Sequence, residues 1–229
     1  MASQVRRHAG RIEDVRIPPL SLEGVLALPQ GASALVAFAH GSGSSRFSPR
    51  NVRVAEFLRR RGLGTLLFDL LTDDEAADRR LVFDIPLLAE RLLQARRWLA
   101  ESEPTRRLRI GYFGASTGAA AALVAAAATR EPEVGAIVSR GGRPDLAGPA
   151  LGRVRAPTLL IVGGHDEVVL DLNRAALSQL RCEKQLASVP RATHLFEEPG
   201  ALEEVMVLAG EWFSDHLAVA TEGVRDEVP

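Results

Sequence analysis

The sequence predicts an α/β fold built on a mostly parallel sheet with helices on both faces, and three observations carry that expectation. From residue 34 onward the chain repeats a rhythm of buried strand, loop and helix. The strand candidates at 34–39, 64–68, 108–113, 134–139, 158–162 and 185–189 are short apolar runs with little polar alternation, as expected of strands covered on both faces. Between them lie helical patterns. One spans 49–61 and ends at Gly62, and a second spans 85–99, capped by Asp84, with Leu88, Leu92, Ala95, Trp98 and Leu99 on one stripe. An alanine-rich helix opens at Ser116 and runs to about Arg130, closed before Pro132, and the segments 169–180 and 199–217 supply the last two. Upstream, the runs 12–17 and 21–28 are separated by Pro18-Pro19, which cannot continue a central strand, and so read as an antiparallel pair at one edge.

Composition narrows the class. The chain has 229 residues, 46% of them hydrophobic and 25% charged, with a net charge of -1, the profile of a globular domain. One domain over 1–217 with a flexible tail at 218–229 is expected. The near-neutral charge argues against nucleic acid as the main partner, because binding by counterion release needs a basic face. Cys182 is the one cysteine, so no intrachain disulfide can form, and a cytoplasmic location is expected. The start carries no apolar run of signal-peptide length, and the longest apolar stretch, 119–128, is about half of what a bilayer needs. Lys184 is the sole lysine among many arginines and alanines, which points to a GC-rich bacterial source.

Ligands on such sheets bind at the carboxyl ends of the strands, so the residues just after each strand are the candidates for chemistry. After 108–113 comes Gly114-Ala115-Ser116-Thr117-Gly118, a G-x-S-x-G pattern in the strand–turn–helix setting that its mechanism requires. A sharp turn would lift the Ser116 hydroxyl over the sheet edge, and the glycines would remove side chains that collide with neighbouring elements. The plain alternative for Ser116 is a helix N-cap. A serine hydroxyl is a poor nucleophile until a base takes its proton and a carboxylate orients that base.

His194, in the loop between the last strand and the last helix, is placed to reach the sheet edge as that base, with a solvated loop histidine as the alternative. His8 and His216 read as surface residues, His40 as a loop support and His165 as the neighbour of an acid. That acid, Asp166, follows the strand at 158–162; its alternative role is again an N-cap. Asp145 lies several residues into a loop, and Asp69 lies across the nucleophile strand from the histidine loop, so both are weaker candidates. The loop His40-Gly41-Ser42-Gly43-Ser44-Ser45 would supply the second oxyanion donor beside the Thr117 N–H, with Ser42 preferred and Gly41 or Gly43 as alternatives. A nucleotide-phosphate cradle is disfavoured, since no Gly-Lys-Ser/Thr ending and no G-x-G-x-x-G after a strand is present.

The order Ser116, Asp166, His194 is the α/β-hydrolase order. Together with His40-Gly-Ser-Gly-Ser-Ser, Phe68-Asp69-Leu70-Leu71-Thr72, Gly164-His-Asp-Glu-Val and Ala192-Thr-His-Leu-Phe, it makes the chain resemble the dienelactone-hydrolase-like group over residues 12–217. The resemblance implies an α/β-hydrolase fold with an eight-stranded sheet, and hydrolysis of carboxylic esters or lactones through an acyl-enzyme. Dienelactone hydrolases proper use a cysteine nucleophile, whereas this chain has Ser116 and keeps Cys182 elsewhere, which favours a general esterase. The chain is also similar to hydrolase modules fused to phosphoribosyltransferases, although no such partner domain is read in these 229 residues.

Only about eighteen residues join the strands at 134–139 and 158–162, too few for a helical cap domain, so an open site is expected. Within that connection, Arg140 and Arg143 are candidates to pair a substrate carboxylate, and a loop ion pair with Asp145 is the alternative. Gly41 is a further candidate contact for substrate. The expectation is therefore a serine hydrolase without metal or cofactor, acting on a small ester, lactone or thioester, with neither nucleic acid nor membrane as partner. An acyltransferase on the same residues and a non-catalytic ligand-binding homologue are the rivals.

Overall fold

The computed structural model describes residues 10–129 and 133–218. Its sheet has eight strands: β1 (Arg11–Ile17), β2 (Leu22–Leu28), β3 (Ala34–Ala39), β4 (Gly64–Phe68), β5 (Arg109–Ala115), β6 (Ala136–Arg140), β7 (Thr158–Gly163) and β8 (Lys184–Val189). They lie in the order β1-β2-β4-β3-β5-β6-β7-β8. The β1–β2 and β2–β4 pairs are antiparallel and the other pairs are parallel. The first two runs thus form the expected edge hairpin. Every residue of β3, β4, β6 and β7 is buried, which is why these strands are mostly apolar, with Thr65, Ser139, Arg140 and Thr158 as their polar members, whereas β1 is largely exposed.

Helices cover both faces. One face holds α1 (Pro49–Arg60) and α7 (Ala201–Leu217), which pack on Val36, Phe38, Phe113, Val138 and Ile161 of the sheet. The other holds α4 (Ile85–Glu101), α5 (Thr117–Ala127) and α6 (Glu167–Gln179). Two short helices, α2 (Asp73–Ala77) and α3 (Arg79–Val82), occupy a stretch in which the sequence showed no helical pattern. Each is about one turn long, too short to display a 3.6-residue period. Their ends are nonetheless marked: Thr72 and Glu75 form a reciprocal capping box, and Asp78 caps α3. The connection from β6 to β7 is filled by a 3₁₀ segment, Pro144–Arg153, and no cap domain rises from it.

Smaller differences follow from tertiary contacts. β5 runs two residues beyond the expected 113, because Gly114 and Ala115 pair with Ser139 and Arg140 of β6. His216, expected on the surface, packs edge-on against Trp212 with ring centroids 4.2 Å apart. The expected tail at 218–229 lies outside the described residues apart from Ala218. No described helix is long and apolar enough to cross a membrane.

The topology fixes where a site can lie. From β3 the chain passes to β4 on one side and later returns to β5 on the other, so the strand order reverses around β3. The loops after β3 and β5 therefore diverge and leave a crevice at the carboxyl edge, where open α/β sheets bind ligands.

Candidate active site

Ser116 stands between β5 and α5 with φ 50 and ψ -121, a backbone conformation that non-glycine residues rarely hold and that costs on the order of 1–3 kcal/mol. The glycines on either side make this turn possible. A Cβ at Gly114 would run into the backbone of Gly118 and Ala119, and one at Gly118 would meet the carbonyl oxygens of Ala39 and His40. The turn thus sits tight against the end of β3, and Gly41 approaches so closely that an added Cβ would lie 3.0 Å from Ser116 Cβ. Although Ser116 occupies the N-cap position of α5, its side chain makes no capping hydrogen bond. The alternative role that the sequence allowed for it is not used.

Asp166 behaves in the same way. It sits at the N-cap of α6, yet its carboxylate caps nothing. Instead Oδ2 lies 2.7 Å from His194 Nδ1. A carboxylate accepts only, so Nδ1 carries a proton, and in the neutral ring Nε2 keeps its lone pair. His194 and Ser116 line the same cavity, together with Gly41, Ser42, Arg140 and Asn51. No direct hydrogen bond joins Ser116 to His194 among the described residues; in unliganded sites such bonds are often long and tighten when substrate binds.

The histidine loop is braced by residues that the sequence did not single out. The Thr193 N–H and hydroxyl both donate to Glu198 Oε1, at 3.0 and 2.6 Å, and these bonds hold the Glu198 carboxyl below the usual carboxylate range. Phe196 is buried with φ 54, a strained position for an aromatic residue, and its ring covers the Arg140 guanidinium at 5.9 Å. Asn173 on α6 donates to the Gly142 and Val169 carbonyls, at 3.0 and 2.8 Å, and so ties the turn after β6 to that helix.

The two expected oxyanion residues are brought together, with a change in detail. The Ser42 N–H donates to Thr117 Oγ1 at 3.0 Å, so in this state it is engaged by a side chain. Thr117 N–H, in the first turn of α5, has no intrahelical acceptor. The two arginines also separate. Arg143 forms a two-pronged pair with Asp145, at 2.9 and 2.8 Å, and does not line the cavity, so the loop ion pair is what the structure forms. Arg140 lines the cavity and is paired to no carboxylate among the described residues. Arg50 and Asn51, from the first turn of α1, form another part of the wall and were not anticipated. The one available signal was a basic residue at a helix start, where acidic ones are favoured.

A strand-order reversal over a tight G-x-S-x-G turn, with an aspartate–histidine pair on the following strand ends, defines the molecule as an α/β-hydrolase fold. Comparison with known proteins carries this further. The chain is 54% identical to a crystal structure of dienelactone hydrolase from Anabaena variabilis, with a TM-score of 0.88, covering 93% of this chain and 100% of that one. The chain belongs to the dienelactone hydrolase family of α/β-hydrolases. Est1E from Butyrivibrio proteoclasticus shares the fold at 17% identity and a TM-score of 0.75, covering 92% of this chain and 100% of that one. A curated Mycobacterium tuberculosis protein named "putative phosphoribosyl transferase" is 58% identical over 209 residues, covering 90% of this chain and 47% of that one. The chain thus spans about half the length of the curated relatives it matches. No family model matches the chain.

Proposed function

We propose that the chain is a serine hydrolase that cleaves a small carboxylic ester, lactone or thioester through an acyl-enzyme on Ser116. The observation that carries this reading is that Ser116 and Asp166 both occupy N-cap positions and neither caps its helix. One is held in a strained turn above the sheet edge, and the other is turned onto His194. In this reading Ser116 Oγ attacks the carbonyl carbon as its proton passes to His194 Nε2. The imidazolium formed is stabilised by Asp166 and gives that proton to the leaving alkoxide. Water, deprotonated in turn by His194, then releases the acid and regenerates the serine. The oxyanion is met by the Thr117 N–H at the start of α5 and by the Ser42 region. With no cap over the site and a cavity of about 260 Å³, below the ~300–1,000 Å³ of pockets for drug-sized ligands, the substrate is small.

The test is covalent labelling. Intact mass after incubation with a fluorophosphonate should show a single adduct on wild type. It should show none on Ser116→Ala and at least a ~10³-fold slower adduct on His194→Ala. A folded wild-type protein that takes no adduct would overturn the reading. Added alcohols or thiols as competing acceptors would separate hydrolysis from acyl transfer, by the partition of the acyl-enzyme.

A further inference from the structure

The cavity beside Ser116 has an unusual electrostatic make-up. Arg140 closes β6 directly beside the nucleophile strand, paired in register with Ala115, and its carbonyl accepts from the Ser116 N–H at 3.4 Å. The residue is only 6% exposed. Among the described residues the guanidinium makes one hydrogen bond, from Nη2 to the neutral Asn51 Oδ1 at 3.2 Å, and its buried Nε meets no acceptor. Burial, and then the charge of Arg50, push the Arg140 pKa down to about 10. Charged groups are rarely taken out of water without a counter-ion, because desolvation costs several kcal/mol per ion.

Among the described residues no carboxylate lines the cavity to balance this charge, and Arg50, which also lines it, adds to it. Arg50 Nε is likewise buried without an acceptor, and its only carboxylate partner among the described residues is the exposed Glu197 at 3.1 Å, a surface pair of little worth. Both Arg50 and Asn51 stand in the first turn of α1, which carries no acidic residue and whose N-terminus adds its own partial positive charge. Ser44 and Ser48 also line the cavity; Ser48 Oγ accepts from the Asn51 N–H as the cap of α1 and keeps its own O–H to donate.

We propose that this cavity is a subsite for a phosphate group carried by the substrate, so that the ester or lactone cleaved at Ser116 is a phosphorylated small molecule. The inference rests on the serine hydrolase reading for its placement beside the reacting centre, but its binding test does not. A dianion with several acceptor oxygens matches two guanidinium groups, the Asn51 amide N–H2 and two hydroxyls, beside the positive end of α1. A carboxylate, with one charge and two oxygens, would leave part of this donor set unmatched.

The probe is inorganic phosphate, titrated against the full chain while thermal unfolding is followed, with sodium chloride at matched ionic strength and succinate as controls. Phosphate at 100 times its apparent Kd should raise Tm by about 5–10 °C, and should slow fluorophosphonate labelling of Ser116. In Arg140→Met the phosphate response should vanish while the ligand-free Tm stays level or rises, because an uncompensated buried charge has been replaced by an apolar group of similar length. Arg50→Gln, at a partly exposed position, should weaken apparent phosphate affinity at least fivefold, and it decides the matter should Arg140→Met not fold. A phosphate response no larger than that of chloride overturns the proposal. So does a larger response to succinate, an unchanged affinity in Arg50→Gln, or an Arg140→Met variant that loses stability and keeps the response. If wild type takes no fluorophosphonate adduct, the serine hydrolase reading fails and the phosphate titration still stands. If it labels normally and phosphate does nothing, this inference alone fails.

Discussion

Two histidines stand at the carboxyl edge of the same sheet, each beside an aspartate, and they are built for opposite ends. His40, after β3, has both ring nitrogens committed: Nε2 accepts from the Leu70 N–H at 3.2 Å, and Nδ1 donates to the Gly41 carbonyl at 3.1 Å. Its nearby carboxylate, Asp69, is 3.9 Å away and is taken up by the Arg46 guanidinium and backbone N–H. His194, after β8, commits only Nδ1, to Asp166 at 2.7 Å, and its side chain is 39% exposed. A histidine whose hydrogen bonds are complete clamps a loop; one left with a free, accessible nitrogen can move a proton. Nearness of His to Asp separates the two sites far less than the count of remaining lone pairs does.

That contrast is broken most sharply at the aspartates. Asp166→Asn should lower kcat on an activated ester by about 10⁴-fold with little loss of stability, because the amide cannot hold His194 in the tautomer with Nε2 unprotonated. Asp69→Asn should show the reverse. Its carboxylate ties Arg46 to the loop after β4, so the substitution should lower Tm and leave kcat within about tenfold. Measuring kcat and Tm on both variants decides it; equal losses of kcat would mean that the two pairs are not functionally distinct.

The smaller test concerns His40 and pH. Burial lowers its pKa from the ordinary 6.5, so the folded state favours the neutral ring. The stabilisation is therefore present above pH 6.5 and is lost as pH falls through that value toward the lower folded one. His40→Leu should cost about 1–3 kcal/mol at pH 7.5, by leaving the Leu70 N–H without its acceptor. It should also flatten the fall of Tm between pH 7 and pH 5 relative to wild type. An equally steep fall in the variant would assign the acid sensitivity to other groups.

The sequence made the edge of the sheet legible because its signals are local. Gly114 and Gly118 flank Ser116 within one turn, and Asp166 and His194 each follow an apolar run that announces a strand. Arg50 and Asn51 carry no such local mark, because Asn51 meets Arg140 only through a hydrogen bond that spans 89 residues of chain. The engagement of the Ser42 N–H by the Thr117 hydroxyl spans 75 residues and leaves no mark in either loop. Arg140 and Arg143, equal candidates three residues apart, were divided by the turn between them. Gly141, with φ 51, sends the chain away from the sheet, so that Arg143 meets Asp145 while Arg140 stays under Phe196.

Arg140 is one of several buried side chains with an unpartnered polar atom, and Tyr112 sharpens what its orphan state means. The Tyr112 hydroxyl, in the middle of β5, is buried with no hydrogen-bond partner among the described residues, and burial pushes its pKa upward so that it stays neutral. Unlike Arg140 it lines neither the cavity beside Ser116 nor the neighbouring one beyond the His40 loop. A neutral hydroxyl left unsatisfied costs on the order of 1 kcal/mol and offers nothing to a ligand from within the α4–α5 face of the core. Tyr112→Phe should therefore raise Tm by about 2–4 °C, with kcat unchanged and the phosphate response intact. A lower Tm would show that the hydroxyl has an acceptor, an internal water for instance, and is structural. Where Arg140→Met and Tyr112→Phe both stabilise the protein but only the first abolishes a ligand response, the unpaired guanidinium is kept for what it binds and the unpaired phenol is not.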